Sequence, residues 1–509
     1  MKQVNGVIFT PLFAVHIVCY SSMSPATPSL ETLHGQLLQH FRHQPTLMQE
    51  RLFYAFSRFA ESEKERCALL IKGYAGTGKT SSVSAMVNAL KAANLQVVLL
   101  APTGRAAKVL AAYSMHPAYT IHRQIYIRQM DSSGQFHFQL KENELSNTIF
   151  FVDEASMIGS DSAAAMRGEH STGDLLEDLI THIYSGDNCK LVLIGDTAQL
   201  PPVGSDQSPA LDLQFLRQHF FLNIAELELT EVIRQALESG ILANATCVRT
   251  LINEKSDALP TINANNVDDI TVVRDDMQPA IEEAYGKYGK EETIIITRSN
   301  KRANLFNQQV RARILWHEEE INSGDRMMVL KNNYYWLDKV FDDELKEQRL
   351  AAGAAFIANG DTLRIVRVKK FEDRGNFRFC RATVLMVDYP ELPEFDVLLN
   401  CSSIWDESAS LSQEKMNELG NLISLDYPDI TNRGQLRRAV FKDEYWNALQ
   451  VKFAYAITCH KAQGGQWPCV FVDQGYITDD MAGLELNRWF YTAFTRAQEK
   501  LFLVGFEEK

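Results

Sequence analysis

A glycine-rich turn, Gly73-Tyr-Ala-Gly76-Thr77-Gly78-Lys79-Thr80, lies between a short apolar run and a helical pattern. Glycines in such a turn let backbone N–H groups close around a phosphate, and a helix N-terminus favours its charge. A lysine can then reach the β and γ oxygens, and a hydroxyl can hold Mg²⁺. With a strand before it and a helix after it, the segment reads as a P-loop in which Gly73, Gly76, Thr77, Gly78, Lys79 and Thr80 bind the nucleotide and Thr80 also faces the metal. Downstream, the apolar run Ile149–Val152 ends in Asp153-Glu154. Asp153 is suited to binding Mg²⁺ through water, and Glu154 to orienting and deprotonating an attacking water. The run Leu191–Ile194 repeats the design and leads to Gly195-Asp-Thr-Ala-Gln199-Leu-Pro-Pro202, where Gln199 can sense a γ-phosphate as a neutral donor. Arg234 and Arg496 are candidates for inserted fingers, because a guanidinium that meets the γ-phosphate contributes roughly 10³ to 10⁵ in rate. Together these residues spell nucleoside triphosphate hydrolysis.

Such groups have to be carried by strand ends. Short β-rich apolar runs recur at Leu69–Lys72, Val97–Ala101, Ile149–Val152, Leu191–Ile194, Thr293–Thr297, Val470–Val472 and Leu501–Val504, and they read as buried parallel strands. Helical patterns follow several of them, as at Thr80–Ala93 and Arg105–Tyr113, giving the βαβ rhythm of a doubly wound sheet. The expected fold is α/β, with two doubly wound domains in tandem: residues 31–222, then 223–321 together with 446–509. Two stretches break the rhythm. Arg123–Arg128 and Gln135–Leu140, joined by Met130-Asp-Ser-Ser-Gly134, predict a β-hairpin projecting from the first domain at about 121–145. Residues 322–445 mix strand-like runs with Gly and Asn turns and predict a mostly β insertion in the second domain. The turn-rich insert Arg167–Gly173, within Asp161–Asp187, has no assigned role.

The chain has 509 residues, 46% of them apolar and 23% charged, which excludes a disordered or fibrous protein and predicts several domains. A net charge of −13 excludes a surface that adheres to any polyanion, so a nucleic-acid partner needs a local basic track. Two segments without Asp or Glu offer one: 101–129, with Arg105, Lys108, Arg123 and Arg128, and 297–313, with Arg298, Lys301, Arg302, Arg311 and Arg313. The eight cysteines form no C-x-x-C pair, as expected of reduced thiols in a cytoplasmic protein. Residues 1–30 read as an unstructured extension with Met23 as an alternative start. Their apolar stretch Val7–Tyr20 is too short to span a bilayer, and no membrane partner is expected.

The order of motifs then becomes informative: Gln49, the P-loop, Ala101-Pro102-Thr103-Gly-Arg-Ala-Ala107, Thr120-Ile-His122, Val152-Asp-Glu-Ala-Ser156, Gly195-Asp-Thr-Ala-Gln199, Arg234, Thr458-Cys-His460-Lys461-Ala-Gln-Gly464 and Thr492-Ala-Phe-Thr-Arg496. This series resembles the RecD/Dda-like helicases, the 5′→3′ branch of helicase superfamily 1, which pair a P-loop domain with a UvrD-like C-terminal domain. The resemblance implies that the two tandem α/β domains are RecA-like P-loop NTPase domains, with ATP and Mg²⁺ as cofactors. It also implies that Gln49 contacts adenine, and that Gln199, Arg234 and Arg496 complete the γ-phosphate shell. Pro102, Thr103, His122, Thr458, His460 and Lys461 would lie towards single-stranded DNA, with tailed duplex DNA as substrate and DNA repair or recombination proteins as partners. The hairpin would be a strand-separating pin, with Phe136 and Phe138 either stacking on a base or filling the hairpin's own core. The mostly β insertion would be a small β-barrel that closes over DNA. Two readings stay beside this one: an ATP-gated DNA-binding or remodelling ATPase, and a RecD-like subunit of an exonuclease complex. Polarity rests on the resemblance alone.

Overall fold

The computed structural model describes residues 32–130, 136–159, 174–233, 239–264, 267–274, 276–341, 356–478 and 481–506, with backbone only at 128–130 and 136–138. The expectations for residues 1–30, for the hairpin turn, for the side chains of Phe136 and Phe138, for Arg167–Gly173 and for Arg234 lie outside the described residues.

The first half of the chain supplies β1 Cys67–Gly73, β2 Gln96–Ala101, β3 Ala118–Thr120, β4 Tyr126–Met130, β5 Phe136–Leu140, β6 Thr148–Val152, β7 Lys190–Gly195 and β8 Asn223–Leu229. Six of these form one sheet in the order β3-β2-β6-β7-β1-β8, parallel throughout. Successive residues along each strand serve opposite cores. Leu69, Ile71, Phe151 and Ile194 pack with the helices Leu33–His40, Leu47–Ala60 and Lys79–Ala92, whereas Ala68, Leu70, Phe150 and Leu193 pack with Leu175–Ser185 and Leu213–Phe220. Both faces are covered, which is why these strands read as unbroken apolar runs rather than as alternation.

Two boundaries differ from the sequence reading. The first domain does not end at 222, because β8 pairs with β1 from Cys67↔Asn223 to Gly73↔Leu229. The hairpin begins at Tyr126 rather than Arg123, because Ile121–Ile125 is a short helix. Its N-cap is Thr120, whose hydroxyl accepts from Arg123 N–H, and Ile121 and Ile125, four apart, are both buried in the first domain.

The second half supplies β9 Ile270–Val273, β10 Thr293–Thr297, β11 Arg326–Val329, β12 Thr362–Arg374, β13 Phe377–Met386, β14 Phe395–Asn400, β15 Leu449–Phe453, β16 Ala456–Thr458, β17 Trp467–Asp473 and β18 Ala497–Val504. A second parallel sheet has the order β16-β10-β17-β18-β9, and β11 to β15 close into a barrel. The barrel is the expected insertion, with two corrections. Its last strand is β15, so the chain returns to the second sheet after 453 rather than at 446. It also carries two helices, Gln413–Ser424 and Arg433–Lys442, whose Leu419, Ile423 and Val440 pack into its core.

Barrel and second sheet share a single core. Met327, Leu363, Phe379 and Val397 of the barrel belong to the same buried cluster as Ile295, Phe471 and Phe502 of the sheet. Phe471 is fully buried and stacks on Phe502 at 4.3 Å between ring centroids. Phe471→Ala is expected to cost about 3–5 kcal/mol and to lower the melting of barrel and sheet together; calorimetry showing two separable transitions would contradict the shared core.

Candidate nucleotide-binding and hydrolysis site

The strand order places three loops side by side. β7 lies between β1 and β6, with Lys72 opposite Gly195 and Val152 opposite Leu193. The P-loop after β1, Asp153-Glu154 after β6 and Asp196 after β7 therefore emerge at one edge, where open parallel sheets bind their ligands. Gly76 (φ +76°) and Gly78 (φ +79°) take the left-handed conformation that glycine tolerates. A Cβ at Gly78 would also stand 2.4 Å from Gln49 Nε2. Gly78 is the N-cap of the Lys79–Ala92 helix and offers no side-chain cap, so the first-turn N–H groups are left for a ligand. Lys79 Nζ donates to the carbonyls of Gly73 (2.5 Å) and Tyr74 (2.9 Å) and lies 3.7 Å from Asp196 Oδ2.

Asp153 Oδ1 accepts from Glu154 N–H at 2.9 Å, and Oδ2 accepts from the Tyr113 hydroxyl at 2.5 Å. Burial and the nearby Asp153 push the Tyr113 phenol well above its usual range, so it remains a donor. Glu154 itself has a left-handed backbone (φ +52°), unusual for a side chain with a Cβ. Burial raises its carboxyl pKa, Arg496 opposes the shift, and Asp153 adds to it. Thr80 and Asp153 face the same cleft and present a hydroxyl and a carboxylate, the oxygen donors that a hard divalent cation takes. Gln199 lines the cleft too, and its buried Oε1 has no hydrogen-bond partner among the described residues.

The second domain supplies the opposite wall. Arg496 follows the Leu484–Phe494 helix and is buried, donating to Thr492 O (3.0 Å), Gly465 O (3.2 Å) and Thr495 Oγ1 (3.2 Å). Its Nη1 stands 3.9 Å from Glu154 Oε1. The backbone of Leu200 is clasped from across the boundary, with its N–H donating to Thr492 Oγ1 (2.9 Å) and its carbonyl accepting from Gln463 Nε2 (2.7 Å). The resulting cleft of about 460 Å³ is lined by both domains.

The sequence-derived residues separate into groups. Lys79, Thr80, Gly76, Gly78, Asp153, Glu154, Gln199 and Arg496 converge on the cleft. Gly73 and Thr77 shape the loop from behind, with the Thr77 hydroxyl bonded to Tyr74 O. Gln49 sits behind it as well. It forms a capping box with Thr46 and donates from Nε2 to Thr77 O at 3.2 Å, so it braces the P-loop. Pro102 and Thr103 follow β2, and the Thr103 hydroxyl caps the Gly104–Ser114 helix. His122 lies in the short helix after β3, and burial lowers its pKa. Thr458 ends β16, ahead of the turn of helix with His460 and Lys461, whose Nζ donates to Asn359 Oδ1 at 2.6 Å. These groups occupy strand-end loops of both sheets.

Several members of the basic segments are tied to the fold, while Lys301 and Arg313 stay exposed. Arg302 forms a bidentate pair with Asp473, Arg311 is buried with Asp325, and Arg105 stacks on Trp467 at 3.9 Å. Lys108 reaches across to the barrel, 3.7 Å from Asp388 Oδ1. Two site residues escaped the sequence reading. Asp196 had a signal, since Gly195-Asp196 repeats the strand-then-acid pattern of Val152-Asp153. Tyr491 had only its place five residues before Arg496.

These parts define a nucleotide-binding cleft shared by two parallel-sheet domains, with a P-loop and acidic strand ends on one wall and a buried arginine on the other. An AAA domain family model matches residues 55–266, and a UvrD-like helicase C-terminal domain matches residues 453–504. The chain is similar to the ATP-dependent RecD2 DNA helicase of Deinococcus radiodurans, 30% identical over 35% of this chain, and spans 21% of that relative's length. It is also similar to the ATP-dependent DNA helicase dda of Enterobacteria phage T4, 24% identical over 85% of this chain and 93% of the other. Pif1 helicase from Bacteroides, solved in complex with ADP-AlF3 and ssDNA, superimposes with a TM-score of 0.43 at 14% identity, covering 91% and 92% of the two chains. Arg496→Ala is expected to leave ATP binding within about threefold and cut turnover by about 10³; nucleotide titration beside steady-state hydrolysis separates the two.

Proposed function

We propose that this protein couples ATP hydrolysis to 5′→3′ movement along single-stranded DNA and separates the duplex ahead of it. The observation that carries the reading is the shared cleft, where Lys79 and Glu154 of one sheet meet Arg496 of the other. In this reading Lys79 leaves the loop carbonyls for the β and γ oxygens. Glu154 takes a proton from the attacking water, Gln199 orients it, and Arg496 meets the charge that develops on the γ-phosphate. Thr80 and Asp153 would hold Mg²⁺, which would supply positive charge to offset that of the phosphates.

Transmission to DNA runs through glycines. Gly465 passes its carbonyl to Arg496 and leaves no space for a Cβ, which would stand 2.5 Å from the Trp467 ring and 2.8 Å from Arg105 Nε. Arg105 belongs to the helix capped by Thr103, the residue expected to face DNA. A change at Arg496 therefore reaches the DNA-side loop through Gly465, Trp467 and Arg105, and alternating grips of the two domains move the chain. Peptide groups and helix starts at strand-end loops bind the phosphates of the track without reading its sequence.

Steady-state hydrolysis with and without single-stranded DNA tests the reading. Strong stimulation that disappears in Lys79→Ala is expected, followed by unwinding of 5′-tailed but not 3′-tailed duplexes. Lys79-dependent hydrolysis indifferent to DNA would make the chain a non-motor ATPase. Gly465→Ala is expected to reduce stimulation by DNA about tenfold while changing ATP binding by less than about threefold, read by the same assay beside nucleotide titration.

A further inference from the structure

The Tyr491 hydroxyl stands where the two domains and the P-loop meet. The side chain is fully buried on the Leu484–Phe494 helix of the second domain. Its oxygen accepts from Ala75 N–H of the P-loop at 2.8 Å and donates to Asp196 Oδ2 of the first domain at 2.7 Å. Asp196 is equally buried, and its other oxygen accepts from Ala198 N–H at 3.0 Å. Both of its oxygens are thus committed while the domains are docked. Lys79 Nζ lies 3.7 Å from the oxygen that Tyr491 holds, making Asp196 the nearest carboxylate partner for the ammonium when it is not on a phosphate.

Lys79 thus stands between two anionic partners, the phosphates of the nucleotide and Asp196. Whatever weakens the hold of Asp196 favours the phosphates. Tyr491 does so only when the second domain is in place. If the helix withdrew, Ala75 N–H would lose its acceptor, and Asp196 Oδ2 would be left to Lys79 alone. Burial and the neighbouring Asp196 keep the phenol protonated far above its usual range, so the donor does not titrate away.

We propose that Tyr491 is a positioning residue: by occupying Asp196 and the Ala75 peptide when the domains are docked, its hydroxyl releases Lys79 to the phosphates, and an opened cleft returns Lys79 to Asp196. This rests on the hydrolytic reading above and adds a conformational condition to it. Arg496, five residues further on, enters the cleft with the same docking, so both cations act on the nucleotide in one closed state.

The test uses the full chain and three variants, Tyr491→Phe, Asp196→Asn and the double, with kcat and ATP KM measured at saturating single-stranded DNA and melting temperature recorded. Tyr491→Phe is expected to lower kcat about tenfold with KM within about threefold, and the double variant to be no slower than Tyr491→Phe alone, because the hydroxyl acts through the carboxylate. Losses that multiply, or a Tyr491→Phe enzyme within about twofold of the parent, would overturn it. Should Tyr491→Phe fail to fold, Asp196→Asn decides. It keeps an acceptor for the phenol but removes the charge that retains Lys79, so DNA-free protein should bind a fluorescent ATP analogue about threefold more tightly; unchanged or weaker binding would overturn the proposal. A Lys79→Ala chain that still hydrolyses ATP sinks the underlying site. A dead Lys79→Ala beside a normal Tyr491→Phe sinks only this inference.

Discussion

Carboxylates crowded at the end of a sheet and shielded from water must be answered by cations, or they give up their charge. Here Asp153, Glu154 and Asp196 gather at one edge of the first sheet, and the answering charges come from different places. Lys79 arrives on the P-loop of the same domain. Arg496 arrives from the other domain, itself buried and held by two carbonyls and a hydroxyl. A guanidinium fixed in this way cannot swing out on a flexible stem to find its partner; the whole second sheet has to bring it. The charges of the cleft are therefore shared between the two domains, and Ala198 and Leu200 pack into the core of the second domain beside them. The Thr492 and Gln463 bonds to Leu200 hold that docking without spending any charge.

Charge is distributed with the same economy elsewhere. The chain is acidic overall, and several arginines that looked free for a polyanion are tied to the fold: Arg302 to Asp473, Arg311 to Asp325, and Arg105 to the face of Trp467. Burial lowers the Arg105 pKa to about 10, still far above neutrality, so the stacked group keeps its charge. Phosphate recognition then depends on where backbone N–H groups and helix starts point more than on how many basic residues a segment contains.

What the sequence disclosed and what it withheld follow from the range of the interactions involved. Parallel strands buried on both faces announce themselves as apolar runs, and the P-loop as glycines that only a left-handed turn requires, so the α/β architecture and the cleft residues Lys79, Glu154, Gln199 and Arg496 were legible. Long-range pairing was not. β8 alternates polar and apolar residues at the edge of its sheet and gives no sign that it pairs with β1 rather than opening the next domain. β15 is fully buried, like a strand of either the barrel or the second sheet. The short helix Ile121–Ile125 hid inside a strand-like run because five residues show hardly more than one helical turn. Tyr491 carried no chemical signal at all, since a tyrosine on an apolar helix face reads as core until its hydroxyl is seen between Ala75 and Asp196.

The barrel has no interior of its own. Its inward side chains merge with those under the second sheet, so it cannot pivot on its connections as an independent lobe. It is packed with that sheet as one body. Its edge touches the first domain beside the Gly104–Ser114 helix, where Lys108 meets Val387 O and Asp388. Any rearrangement of the second sheet is therefore carried into that contact through packed side chains rather than across a hinge.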